Sequence, residues 1–140
     1  MHHRLYLHLV WSTRDRAPLI TADRAVFLCR FLRGTARHHR AYVLELGMVA
    51  THVHVLLRVH PATALSRLVQ SLKGGSAAVA NRALPPGPAP LRWAAGYSVS
   101  SVGARSLDDV RSYLRAQPDR HPADRIPHWT GDTPEFDREG

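Results

Sequence analysis

The run Thr51-His52-Val53-His54-Val55-Leu56-Leu57-Arg58-Val59 constrains this chain more than any other stretch. Side chains alternate along a strand, so Val53, Val55, Leu57 and Val59 share one face and His52, His54, Leu56 and Arg58 the other. An all-aliphatic row has to pack beneath helices. The histidine row is thereby turned onto the opposite, open face of the sheet. Imidazoles at i and i+2 stand about 7 Å apart at Cα and can converge on one ion. His60 has the same parity but lies roughly 20 Å beyond His54, too far to join them. The plainer reading is two partly exposed histidines on a sheet.

Around this strand the other elements follow by pattern. Arg4 to Thr13 alternates Leu5, Leu7, Leu9 and Trp11 against Tyr6, His8, Val10 and Ser12, which predicts a strand. Thr21 reads as an N-cap for a long helix from Ala22 to about His39. Ala41 to Met48 predicts a second strand, joined to the histidine strand as an antiparallel hairpin by a short turn at Ala50-Thr51. Ala64 to about Leu84 predicts a second helix, with Leu65, Leu68, Val69 and Leu72 on one stripe. Pro85-Pro86-Gly87-Pro88-Ala89-Pro90 is a loop, and Trp93 to Val102 a fourth strand weakened by Gly96. A third helix is expected from Ser106, a capping residue, to near Gln117, because Pro118 follows. The order β-α-β-β-α-β plus a helix defines an α+β, ferredoxin-like or RRM-like antiparallel sheet with helices on one face and a C-terminal helix carrying Tyr113. The expected domain spans residues 1–121, with a Pro/Asp-rich tail of little structure over 122–140.

Composition narrows the partner. The net charge of +8 favours a polyanion, most plausibly nucleic acid. Residues 1–107 carry 14 Arg or Lys against three acids, whereas residues 108–140 carry five Arg against eight acids, so the basic surface belongs to the main body. The single cysteine, Cys29, excludes an internal disulfide and fits a buried apolar role in a reducing compartment. No apolar run reaches the ~18 residues that span a membrane, and Met1-His2-His3-Arg4 leads directly into a strand without a signal-peptide core. A cytoplasmic protein is expected.

On the third helix, Tyr113 and Gln117 lie one turn apart, beside the stripe Leu107, Val110, Leu114. A tyrosine there can pack its ring and present its hydroxyl. It is more often a packing residue than a nucleophile, since a free phenol has a pKa near 10 and needs a metal or cation to help it react.

These segments, in this order, resemble the single-tyrosine HUH transposases, including the REP-associated tyrosine transposases. The resemblance runs through Leu9 to Arg16, Met48 to Leu57, Ser71-Leu72-Lys73-Gly74, Trp93 to Val102, and Tyr113-Leu114-Arg115-Ala116-Gln117-Pro118. It implies that Tyr113 attacks a phosphodiester of single-stranded DNA, leaving a 5′-phosphotyrosine and a free 3′-hydroxyl. It further implies that His52, His54 and Gln117 bind a divalent ion, Mg²⁺ or Mn²⁺, and that Arg14, Arg16 and Lys73 contact the DNA backbone. The substrate would be a DNA hairpin with a flanking single strand, and the active form a homodimer. Two departures stand out. Ala50-Thr51 occupies the place where the family commonly has Pro-Asn, and Asp119-Arg120-His121 supplies one histidine where the family often has two. A non-catalytic DNA- or RNA-binding module derived from such a transposase is the alternative. A replication-initiation or relaxase nuclease shares the chemistry but usually occurs in longer chains.

Overall fold

The computed structural model describes residues 5–87 and 89–132. Arg4, Pro88 and the tail beyond Asp132 lie outside the described residues. Four strands, β1 (Leu5–Ser12), β2 (Ala41–Val49), β3 (His52–Val59) and β4 (Ser98–Val102), form one antiparallel sheet in the order β2-β3-β1-β4. This is the expected α+β architecture. Leu9, Trp11, Val43, Leu46, Met48, Val53, Val55 and Leu57 meet the buried stripes of the flanking helices in a single apolar core.

Helix α1 (Ala22–His38) starts where Thr21 accepts a hydrogen bond from the Arg24 backbone N–H at 3.4 Å. Cys29 is buried on its inner face, and burial pushes its thiol pKa up. The second helix is less regular than its periodicity predicts. It runs as α2 (Leu65–Gln70), a π-helical turn at Ser71–Gly75, and α3 (Ser76–Ala83). The fourth strand is shorter than expected. Only Ser98–Val102 pairs with β1, while Trp93 makes a lone bridge to Thr13. The reason is tertiary: Lys73 Nζ donates to the carbonyls of Ala94 at 2.9 Å and Gly96 at 2.6 Å, and Gly96 turns the chain at φ +83°.

Helix α4 (Leu107–Arg115) lies on the opposite, histidine-bearing face, which it covers in part. Ser106 makes no side-chain cap, so that start signal fails here; a 3₁₀ turn at Ala104–Ser106 leads into the helix instead. Past Ala116 the chain resumes as α5 (Gln117–Arg120), with Pro118 in the first turn, where its missing N–H costs nothing. Gln117 therefore opens a new helix rather than closing the old one. Residues 122–132 also differ from a loose tail. The Asp124 carbonyl accepts from Ala50 N–H at 2.7 Å, Ile126 is buried, and Arg33 pairs with Asp132 at 2.7 Å. No helix among the described residues is long and apolar enough to cross a membrane.

Candidate active site

Two sequence details hold α4 against the sheet. At Leu44 a β-bulge shifts the register between Val43 and Glu45, so Glu45 pairs with Leu56 on the histidine face. Regular alternation from Val43 through Leu44 would point Glu45 into the aliphatic core. Its buried carboxylate instead accepts from Arg111 Nε at 3.3 Å and Arg115 Nε at 3.2 Å, both on α4. Arg111 also donates to the Leu44 carbonyl at 3.0 Å. The second detail is Gly47, the strand partner of His54. A Cβ on Gly47 would stand 2.2 Å from the Leu114 carbonyl oxygen, so only glycine lets the helix backbone approach so closely.

This docking sets Tyr113 beside the histidines. Its ring centroid lies 5.7 Å from that of His54. The rings of His52 and His54 are 5.1 Å apart, and His52 Nε2 is 3.2 Å from Gln117 Oε1. His52, His54, Tyr113 and Gln117 are thus brought together within one chain. The predicted open face is closed at this point: His52 and His54 are 6% and 7% exposed and Gln117 is fully buried. Strand alternation set the direction of the histidines, but α4 and α5 then covered them.

Four further groups belong to the cluster, His8, Thr51, Arg120 and His121, and the sequence pattern assigns a role to none of them. His8 Nε2 is 2.9 Å from His54 Nδ1, and its ring is 6.2 Å from that of Tyr113. Its parity on β1, shared with Tyr6, Val10 and Ser12, was the available signal. It carries information only once β1 is known to pair with β3, which sets His8 opposite Leu56. His121 lies 5.2 Å from His52, ring to ring, and the Arg120 guanidinium sits 4.8 Å over the Tyr113 ring. Thr51 puts its hydroxyl 3.0 Å from His52 Nδ1.

The predicted DNA contacts separate. Arg14 and Arg16 are exposed on a turn that follows β1, where Asp15 and Arg16 take left-handed backbone angles, and the Arg16 charge reaches His52. Lys73 is half-buried and is spent on the Ala94 and Gly96 carbonyls, where burial lowers its pKa.

Burial, and then the neighbouring His52, His8 and His121, push the His54 pKa down to about 3. Burial likewise lowers His52 and His8. The imidazoles are therefore neutral at pH 7, with lone pairs available. Among the described residues no three His, Cys, Asp or Glu side chains group as a metal site. Two neutral imidazoles and an amide oxygen do fit a divalent ion with open coordination positions.

The lowered His54 pKa also fixes a stability profile. Its folded pKa lies below the unfolded value near 6.5, so the unfolded chain binds the extra proton. This contribution to stability is fully present above about pH 6.5 and is lost as the pH falls toward 3. Thermal melts in EDTA from pH 7 to pH 4 are expected to show that loss, and His54→Leu to reduce it. Equal slopes in both proteins would place the acid sensitivity elsewhere.

The family model described as "Transposase IS200 like" matches residues 1–117, and the chain belongs to that transposase family. A crystal structure of a Deinococcus radiodurans R1 protein assigned as a transposase is similar at 26% identity and TM-score 0.66, covering 84% of this chain and 93% of that one. The structure of a REP-associated tyrosine transposase bound to a REP hairpin has the same fold at 11% identity and TM-score 0.64, covering 86% and 70%. No curated protein matches the sequence.

Proposed function

We propose that this transposase-family protein cleaves and rejoins single-stranded DNA beside a hairpin, through a covalent bond to Tyr113. The observation that carries the reading is the convergence of Tyr113, His52, His54 and Gln117 from three separate elements onto one buried cluster. The hairpin bound by the REP-associated relative supports the substrate class.

His52 Nε2, the His54 ring nitrogen not facing His8, and Gln117 Oε1 would hold a divalent ion, Mg²⁺ or Mn²⁺. When bound, such an ion polarises the scissile phosphate and offsets charge on the departing oxygen. The chain's own groups do the rest. To free Nε2 for the ion, neutral His52 would take the tautomer with its proton on Nδ1, exchanged through solvent, and the Thr51 hydroxyl can accept from that Nδ1–H to keep the ring oriented. His8 fixes the His54 ring in the same way through Nδ1. The Tyr113 oxygen attacks phosphorus, the bond from phosphorus to the 3′-oxygen breaks, and the 3′-oxygen takes a proton. The phenolic proton passes to solvent, because His8 Nε2 is already occupied as the acceptor for His54 Nδ1–H. Rejoining is the reverse attack by the 3′-hydroxyl, so no nucleotide is consumed. Arg16 and Arg120 flank the site and supply positive charge for DNA phosphates. The homodimer implied by the family stays part of this reading, although one chain already contributes every named group.

The decisive experiment incubates the protein with Mn²⁺ and hairpin DNA from the flanks of its own gene, then seeks a covalent adduct on a denaturing gel. An adduct is expected. Salt-dependent binding with no adduct under any divalent ion would favour the non-catalytic binding module instead. The double variant His52→Ala, His54→Ala is expected to stay folded while losing Mn²⁺ binding by calorimetry and adduct formation by at least about a hundredfold. Unchanged Mn²⁺ affinity in that variant would remove the histidines from the ion site.

A further inference from the structure

A second feature, apart from the histidine cluster, opens where β1 ends. Between the π-helical turn and the chain from Leu91 to Tyr97 lies a cleft of about 640 Å³. Its lining includes the cations Arg14, Lys73 and Arg92, and no acidic side chain. It also includes Trp93 and Tyr97, the latter 44% exposed. A cavity of this size suits one small ligand and is far too narrow for a duplex.

The wall of the cleft is fixed from both ends of one residue. Lys73 Nζ holds the Ala94 and Gly96 carbonyls, while the Lys73 carbonyl accepts from Trp93 Nε1 at 2.9 Å. A π-helical turn inside an α-helix often marks a functional position, and here it aims that residue at the loop. The left-handed turn at Gly96 then presents Tyr97 at the surface. Tyr97 immediately precedes Ser98, which pairs with Val10, which pairs in turn with His54. Two strand spacings, about 10 Å, separate the backbone at Ser98 from that at His54, and Tyr97 lies one residue further on. A single strand leaving the histidine cluster would reach the cleft within a few nucleotides.

We propose that the cleft seats one unpaired nucleotide of that DNA strand, with its base against Tyr97 and its phosphate against Arg14 and Arg92. The assignment rests on the strand-cleavage reading and extends it. An exposed aromatic ring beside paired cations is the arrangement that holds an unstacked base without reading a duplex. Lys73 is then a positioning residue, because its charge is engaged with carbonyls and shapes the wall.

The test measures fluorescence anisotropy of a short oligothymidylate, and of its duplex with oligoadenylate, on the full chain in EDTA. Tyr97→Ala is expected to weaken the single strand about tenfold, with the duplex unaffected and Tyr97→Phe retaining wild-type binding. Arg92→Ala is expected to lower the salt slope of single-strand binding by about 0.7. Irradiating a 5-iodouracil-substituted strand is expected to cross-link the peptide that holds Tyr97. Tyr97→Ala binding the strand like wild type, equal losses on strand and duplex, or displacement by thymidine monophosphate at equal nucleotide concentration would each overturn the proposal. The two readings fail separately. An adduct at Tyr113 without the Tyr97 effect removes only the nucleotide cleft, and the Tyr97 effect without an adduct removes only strand cleavage.

Discussion

Tyr113→Phe is expected to abolish the protein–DNA adduct, lowering its formation by at least about 10³-fold, while leaving the fold and Mn²⁺ binding intact. The size of the effect follows from removing a nucleophile, for which no neighbour substitutes. The selectivity follows from the geometry. Phenylalanine keeps the ring beside His54, His8 and the Arg120 guanidinium, so the packing around the cluster persists. A denaturing gel reads the adduct, calorimetry the metal and a thermal melt the fold. Wild-type adduct yield in the phenylalanine variant would assign the attacking oxygen elsewhere and leave Tyr113 as a packing residue.

Gly47→Ala is expected to be the most damaging small substitution outside the cluster. The added methyl would stand 2.2 Å from the Leu114 carbonyl oxygen and 3.0 Å from the Leu114 Cα. Backbone cannot yield as a flexible side chain does, so α4 has to lift from the sheet. Overpacking of this kind costs about 1–3 kcal/mol, or a fall in Tm of roughly 3–10 °C for a chain of this size. Because Leu114 adjoins Tyr113, adduct formation is expected to fall further than the stability loss explains. Gly34→Ala is the control, since a Cβ there meets nothing within 4 Å and α1 gains helix propensity. A Gly47→Ala protein with wild-type Tm and adduct yield would show that the close approach of α4 is dispensable.

The contrast between these two glycines shows where sequence reading stops. Both stand inside regular elements, and a lone sequence marks each only as a weak helix or strand former. What separates them is another backbone arriving from far along the chain, and no local pattern carries that contact. Lys73 makes the same point. Its place near a glycine pair resembles a DNA-contacting position, yet its ammonium is engaged by carbonyls that belong to a distant loop. The fourth strand is shorter than its alternation predicts for a related reason, because those same carbonyls are withdrawn from the ladder with β1. The expected cap at Ser106 failed where a 3₁₀ turn entered the helix from a backbone already in the helical region.

Alternation of apolar and polar residues by itself determined β1, β2 and β3, the helical stretches between them, and the side of the sheet on which His52 and His54 stand. Those features depend on neighbours one to four residues away, which the sequence displays directly. Only the tertiary structure decided that the bulge at Leu44 turns Glu45 toward two arginines of α4, that His8 meets His54, and that Gln117 meets His52 across 65 residues. Each of these depends on strand register and helix docking, which are set by the whole core packing at once rather than by any local run of residues.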